Sequence, residues 1–150
     1  MLTSRPTRLR VPGLGVSAPV EQVVTRGGQL TVPDDITHVG WWVGSVPPGS
    51  PAGATVIDGH VDSRVDGQGA LFHLTQLRAG RRITLATSAG HTVTYRVYAR
   101  RVYSKAKALP HALFTNAGAP RLVVITCGGP FDAAQHSYRD NIAVFARPVQ

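Results

Sequence analysis

The sequence lacks several features that mark common classes of protein. It contains a single cysteine, which excludes an internal disulfide and any metal site built from several cysteines. No stretch approaches the ~18 consecutive apolar residues of a membrane-spanning helix. No apolar run near Met1 resembles a signal peptide. From these absences we expect a soluble body, with any anchor or export signal outside the sequence.

Acidic residues are also few, because 8 Asp and Glu stand against 16 Lys and Arg and give a formal net charge of +8. Such a charge favours nucleic acid, anionic membranes or anionic polymers as partners. The basic residues are nevertheless scattered, with only Arg81-Arg82 and Arg100-Arg101 adjacent, and no nucleic-acid-binding signature is present. We therefore predict a solvated basic surface and no nucleic-acid partner, with attraction to an anionic cell envelope as the second interpretation.

Glycine and proline are plentiful, with 16 and 11 among 150 residues. Because both residues interrupt helices and form turns, they favour many short strands over a few long helices. The length predicts one domain, and we expect residues 1–8 to be a flexible basic lead-in and residues 9–150 to form the folded body. Alternating or buried apolar segments predict about eight strands, and hence an all-β fold with a closed or nearly closed eight-stranded β-barrel and one or two short helices. The strand candidates are 9–12, 16–20, 29–33, 39–44, 54–58, 82–87, 92–98, 122–127 and 141–146; helical turns are expected within 70–77 and 108–116.

The lone cysteine, Cys127, follows the apolar segment Leu122–Ile125 and Thr126. Four consecutive branched apolar residues are typical of a strand buried on both faces. Gly128-Gly129-Pro130 follows, and this triplet predicts that the strand ends there. A thiol at such a boundary is fixed by the strand and reachable from the loop, as a nucleophile must be. The alternative is that Cys127 is a small buried apolar residue, as free cysteines usually are.

A catalytic thiol needs a partner that produces or stabilises the thiolate, and histidine is the usual one. His60 has the best context, because it follows the buried strand 54–58 and a glycine, just as Cys127 ends its own strand. Two such strand ends at the same end of a barrel can meet. His136, in the segment after Cys127, is the rival. The remaining candidates lie beside turns or in the expected helical stretch and are His38, His73, His91 and His111.

Acyl transfer also needs a cation or hydrogen-bond donor at the developing oxyanion. Arg139 stands shortly after Cys127, just before the last predicted strand. A loop that starts and ends on neighbouring strands returns its end next to its start, so Arg139 can lie beside Cys127. Taken alone, Arg139 is one more exposed charge; together with Cys127 and His60 it predicts a catalytic set.

These segments resemble the sortase family. Ile125-Thr126-Cys127-Gly128-Gly129 and Tyr138-Arg139-Asp140-Asn141 are similar to the strand-end Thr-Cys of sortases and their downstream arginine. Gly59-His60-Val61-Asp62 resembles their catalytic histidine segment, and Val39-Gly40-Trp41-Trp42 the stretch before it. The likeness runs from about Leu9 to Val149 and is strongest to the actinobacterial classes E and F.

The resemblance implies a cysteine transpeptidase that cleaves a Leu-Pro-X-Thr-Gly-like sorting signal between Thr and Gly. Cys127 would form the thioester, His60 would be the acid and base, and Arg139 would hold the substrate and stabilise the oxyanion. Thr126, Asp62 and Tyr138 would contribute to substrate binding. The acceptor would be an amine of a peptidoglycan precursor or pilin at a Gram-positive cell surface. Because sortases are normally tethered to the membrane, we expect this chain to be an ectodomain whose anchor lies outside it.

Some sortases bind calcium through clustered acidic residues. Here Asp58, Asp62 and Asp66 are spaced like turn residues and no Glu-rich loop is present, so we predict no required metal and no cofactor. The segment between Tyr98 and Leu122, where sortase classes differ most, contains Lys105 and Lys107 but does not indicate the preferred motif.

Two other functions fit parts of the pattern. An L,D-transpeptidase also uses Cys, His and Arg, but its signature places Ser-His-Gly before the cysteine, where this chain has Val124-Ile125-Thr126. A catalytically silent barrel would bind cell-wall polymer through its basic surface and through Trp41 and Trp42, which could form a stacking platform. In a strand one of these two tryptophans must point into the core.

Overall fold

The computed structural model describes residues 4–27, 29–60, 62–63, 67–104, 109–132 and 137–149. The strands are β1 (Pro6–Val11), β2 (Val16–Val23), β3 (Thr25–Arg26), β4 (Gln29–Leu30), β5 (Val39–Trp42), β6 (Ala54–Gly59), β7 (Asp62–Ser63), β8 (Gly67–Gln68), β9 (Arg82–Thr87), β10 (Thr92–Ser104), β11 (Arg121–Asp132) and β12 (Ser137–Pro148). Two short 3-10 helices cover Leu74–Gln76 and His111–Phe114. Among the described residues, no helix is long and apolar enough to cross a membrane.

Eight of the strands close a barrel in the order β1-β2-β5-β6-β11-β12-β10-β9, which confirms the predicted all-β fold. Most neighbours are antiparallel, but β2 pairs with β5 and β6 pairs with β11 in parallel. A parallel pair requires a long crossover between its strands. The crossover from β6 to β11 contains β7 to β10 and both 3-10 helices.

The barrel interior is filled by residues that alternate along each strand, as the two-residue period of a strand requires. Trp41 is buried in this cluster, so the expectation that one tryptophan of the pair packs into the core is confirmed. The other members come from most of the barrel strands and the first 3-10 helix, and include Leu9, Val39, Ile57, Leu74, Ile83, Leu85, Tyr95, Leu122, Val124 and Val144.

A second apolar cluster covers the outer face of β6, β11 and β12, where it packs against the second 3-10 helix. Trp42 belongs to this layer, and its ring meets that of Phe114 edge to face with 5.8 Å between centroids. The strand β6 is therefore buried along its whole length. The lack of alternation between apolar and exposed polar residues in β6 has this physical cause, since both faces of the strand are covered.

Several predicted boundaries differ from the structure. The barrel begins at Pro6, inside the expected lead-in, because Arg8 and Leu9 pair with both β2 and β9. The strand expected over 29–33 is reduced to β4, which pairs with β3 outside the barrel. The predicted hairpin is present, but β10 continues to Ser104 because β12 pairs with it along that length. Lys105, Lys107 and Ala108 lie outside the described residues.

The expected end of the strand at Gly128-Gly129-Pro130 is wrong. β11 continues through these residues to Asp132, and β12 begins at Ser137. The two strands form one long hairpin whose register shifts between Gly128 and Phe131. Such an irregularity lets a strand pass a proline, which cannot donate a ladder hydrogen bond, without ending.

Candidate active site

The parallel pairing of β6 with β11 sets the level of the two predicted catalytic positions. Every register pair of these strands, up to Asp58 and Ile125, has the same spacing along the chain. Thr126 continues the match, because its Oγ1 donates a hydrogen bond of 2.9 Å to the carbonyl oxygen of Gly59, 67 positions away. His60 follows Gly59 and Cys127 follows Thr126, and the two residues are separated by the same 67 positions. If the register continues by one residue, the backbones of His60 and Cys127 lie side by side at the roughly 4.8 Å spacing of neighbouring strands.

The predicted arginine lies on the strand at the other side of β11. Cys127 is the register partner of Asn141, and Gly128 is the partner of Asp140. Arg139 precedes Asp140 in β12, at the shift in register. Its expected position in a loop is therefore wrong, although the expectation that the chain returns it to a strand next to that of Cys127 agrees with the structure. Of the three predicted catalytic residues, Cys127 and Arg139 thus lie on the neighbouring strands β11 and β12, and His60 directly follows β6 on the other side of β11.

His60 is held by contacts to its ring and to its backbone. Its ring Nε2 lies 2.6 Å from the carbonyl oxygen of Pro33. Because a carbonyl oxygen only accepts, Nε2 carries the hydrogen in this contact, and in the neutral ring Nδ1 is left to accept a proton. The carbonyl oxygen of His60 accepts a hydrogen bond of 3.1 Å from the amide of Leu71. The Pro33 contact therefore selects the tautomer of this histidine.

Gly69 allows the chain to approach His60 closely. A Cβ at this position would collide with the carbonyl oxygen of His60. The next amide, that of Ala70, donates 2.7 Å to the carbonyl oxygen of Ile36. One turn thus joins the segment that carries Pro33 to the backbone of His60. Neither Pro33 nor Gly69 gives a sequence signal for this role, since each acts through its backbone.

The other predicted substrate-binding residues are placed as follows. Thr126 is buried in β11, where its hydroxyl is engaged by Gly59. Asp62 opens β7 directly after the histidine segment and pairs with Gln68 of β8. Tyr138 is in β12 as the partner of Phe131. Val61, Asp66 and the rival His136 lie outside the described residues.

The remaining histidines have other surroundings. His38 lies between two carboxylates, 2.9 Å from Glu21 and 3.3 Å from Asp35. His73 meets the ring of Phe72 edge to face. His91 and His111 are exposed, in the turn before β10 and in the second 3-10 helix. Of these four, His38 directly precedes Val39, which is the register partner of Gly59 on β6.

Sequence reasoning missed Asp58 as a buried carboxyl group. Its side chain is 4% exposed, and among the described residues neither carboxyl oxygen has a hydrogen-bond partner. Gly40 is its register partner on β5, and a Cβ there would lie 2.6 Å from Asp58 Oδ1. Burial raises the pKa of Asp58 to about 8, since a low-dielectric site disfavours the ionised form. A lone carboxylate within an otherwise apolar strand was the available signal.

This carboxyl group predicts a specific dependence of stability on pH. In the unfolded chain it loses its proton near pH 4, whereas in the folded chain it keeps the proton until about pH 8. Between these values the folded state binds more protons, so rising pH lowers the free energy of unfolding by ~1.4 kcal/mol per pH unit. Asp58→Asn removes this term. Urea unfolding at pH 5 and pH 7 measures the free energy of unfolding at each pH. Its decrease from pH 5 to pH 7 should be about 3 kcal/mol smaller in the variant than in the wild type.

The matched control is Asp34→Asn, which makes the same substitution at an exposed side chain. It should follow the wild-type pH dependence closely. Equal slopes for the wild type and Asp58→Asn would show that Asp58 is ionised in the folded protein.

Comparison with known proteins identifies the family. A family model described as the sortase domain matches residues 9–149. Sortase C-1 from Actinomyces oris superimposes with a TM-score of 0.73 at 21% identity, covering 95% of this chain and 73% of that chain. Sortase C1 from Streptococcus agalactiae gives 0.73 at 17% identity, covering 96% and 67%. Sortase A from Corynebacterium diphtheriae gives 0.72 at 18% identity, covering 99% and 62%. A comparison with curated proteins finds no match.

The barrel and the family match agree with each other, and they exclude the L,D-transpeptidase and the catalytically silent barrel as interpretations. The three solved structures named above are of classes A and C, so assignment to class E or F stays a prediction. Sortases are cysteine transpeptidases of the extracytoplasmic cell surface that act on sorting-signal peptides and amines. The chain belongs to the sortase family and is a sortase-type cysteine transpeptidase.

Proposed function

We propose that this enzyme cleaves a Leu-Pro-X-Thr-Gly-like sorting signal between Thr and Gly and transfers the acyl group to an amine of a peptidoglycan precursor or pilin. Cys127 is the nucleophile, His60 the acid and base, and Arg139 the substrate and oxyanion ligand. The observation that supports this assignment best is the shared register of β6 and β11, which leads His60 and Cys127 to the same level on neighbouring strands.

In the first half-reaction the Cys127 sulfur bonds to the threonine carbonyl carbon, and the bond to the glycine nitrogen breaks. His60 Nδ1 takes the Cys127 thiol proton as the sulfur attacks, and it then donates this proton to the departing amine. In the second half-reaction the acceptor amine attacks the thioester and gives a proton to His60, which passes it to the sulfur as the carbon–sulfur bond breaks and the cysteine is regenerated. The hydrogen bond from His60 Nε2 to Pro33 directs this proton exchange to Nδ1.

Arg139 supplies the positive charge that both steps need. A tetrahedral intermediate places negative charge on the former carbonyl oxygen, and a guanidinium group can stabilise it while it orients the peptide backbone. The position of Arg139 in β12, on the strand next to that of Cys127, supports this role. Thr126 uses its hydroxyl to fasten β11 to the chain just before His60, so we assign it to positioning within the substrate site, with Asp62 and Tyr138 flanking the site.

A peptide library tests the proposal. Peptides that vary each position of Leu-Pro-X-Thr-Gly are incubated with the enzyme, with and without an amine acceptor, and the products are identified by mass spectrometry. We expect a protein adduct that ends at threonine, and its conversion to an amide product when the amine is added. Cleavage at another bond, or no adduct with any peptide, would overturn the substrate assignment. The preferred peptide and amine also test the prediction of class E or F.

A further inference from the structure

An arginine face lies on the outside of the barrel, at the strands β1, β9, β10 and β12. Three of its members form a row, since Arg96 of β10 is the register partner of Arg82 on β9 and of Arg147 on β12. All three are exposed. Directly paired residues of antiparallel strands project from the same side of the sheet with Cβ atoms about 5 Å apart. The row therefore brings three guanidinium groups together on one surface.

Two further arginines of β1 extend the row to complete the arginine face. Arg10 pairs with Thr84 and Arg8 with Ala86, both on β9. Their neighbours Leu9 and Val11 fill the barrel interior, so Arg8 and Arg10 face outward, as the alternation of a strand requires. Arg8 also donates a hydrogen bond of 3.0 Å to the hydroxyl of Ser17.

The arginine face contains no acidic residue to neutralise it. Residues 67–131, which include all of β9 and β10, contain no aspartate or glutamate, and neither does β1. In β12 the one carboxylate is Asp140, at the opposite end of the strand from Arg147. Like charges placed directly opposite each other on a sheet destabilise it. An uncompensated row of this kind is suited to an anionic partner.

The shape of the arginine face favours an extended anionic surface over a small ligand. The row crosses three neighbouring strands of one sheet. Tyr98 lies among the arginines, 39% exposed, with the guanidinium carbon of Arg147 4.2 Å from its ring centroid. Arginine and exposed tyrosine together suit the boundary between lipid headgroups and water, where an aromatic ring has an apolar body and a polar tip.

From this arrangement we propose that the arginine face docks the enzyme onto a bilayer of anionic phospholipids. Headgroup phosphates would pair with Arg82, Arg96 and Arg147, while Arg8 and Arg10 add long-range attraction. Docking leaves the transpeptidase site open, because Arg147 and Arg139 are eight residues apart on β12, which corresponds to roughly 27 Å along the strand.

Vesicle binding tests the proposal with the whole chain. The protein is sedimented with vesicles of phosphatidylcholine alone or of phosphatidylcholine mixed with phosphatidylglycerol, at low and physiological salt. We expect binding to the mixed vesicles only, weakened by salt. The double variant Arg82→Gln/Arg96→Gln should bind about 30-fold more weakly, since each basic residue at an anionic surface contributes ~1 kcal/mol.

The matched control is Arg26→Gln/Arg101→Gln, which removes the same charge from exposed positions that are not part of the row, Arg101 being five residues along β10 from Arg96. Its affinity for the mixed vesicles should fall by less than about threefold. Equal losses in both variants would mean that net charge alone attracts the protein, and absence of binding to the mixed vesicles would also overturn the proposal. So would binding to soluble polyphosphate or RNA that exceeds binding to vesicles. Thermal unfolding shows whether either variant has lost its fold.

Discussion

Replacing Cys127 with alanine is expected to abolish cleavage of a fluorogenic Leu-Pro-X-Thr-Gly-like peptide. The sulfur is the only thiol of the chain, and no other side chain can take over the thioester. Removal of a covalent nucleophile lowers kcat by ~10⁴-fold or more. Steady-state fluorescence measures the loss, and intact mass should show that the acyl adduct disappears with it.

The fold should survive this substitution, because a small apolar side chain replaces another small one. The urea midpoint of Cys127→Ala should therefore stay close to that of the wild type, which separates loss of chemistry from loss of structure. Normal turnover by the folded variant would refute the assignment of Cys127 and, with it, the proposed mechanism.

Arg139→Ala is expected to lower kcat/KM by about 10²- to 10³-fold, the range found when one oxyanion donor is removed. Arg139→Lys should recover only part of the loss, because an ammonium group keeps the charge but cannot form the two parallel hydrogen bonds of a guanidinium. The measurement is kcat/KM for the preferred library peptide, with kcat and KM determined separately. A fall in kcat indicates stabilisation of the transition state, whereas a rise in KM alone indicates ground-state binding.

Arg101→Ala is the matched control. Arg101 is exposed on β10 and pairs with Ala143 of β12, so its removal changes the net charge equally and leaves the Arg139 position intact. It should change kcat/KM by less than about twofold. A similar loss in both variants would show that Arg139 contributes only through the overall charge.

Much of the barrel could be predicted because its strands obey simple patterns. β6 and the first half of β11 are mostly apolar, and β9 and the start of β10 alternate cleanly. His60 and Cys127 could then be selected because His60 directly follows β6 and Cys127 ends the apolar part of β11. Arg139 could be selected from sixteen basic residues only through its relation to these two.

The remaining features depend on partners that sequence patterns do not reveal. Gly128-Gly129-Pro130 would end an isolated strand, but pairing with β12 on either side of the register shift carries β11 past them. The contact of His60 with Pro33 uses a backbone carbonyl oxygen, which every residue has. The arginine row depends on the register of three strands, and Arg147 is far from Arg82 along the chain.

The parallel pairing of β6 with β11 also determines when the active site can form during folding. Most of the chain between these strands, including β9 and β10, must be ordered or spanned before His60 and Cys127 become neighbours. Closing so long a loop costs entropy that is recovered only when the non-local strand pairs form. We therefore expect peptide cleavage to appear with the last and slowest phase of refolding, at the step that closes the barrel. A partly folded chain would carry the thiol and the imidazole without joining them into a catalyst.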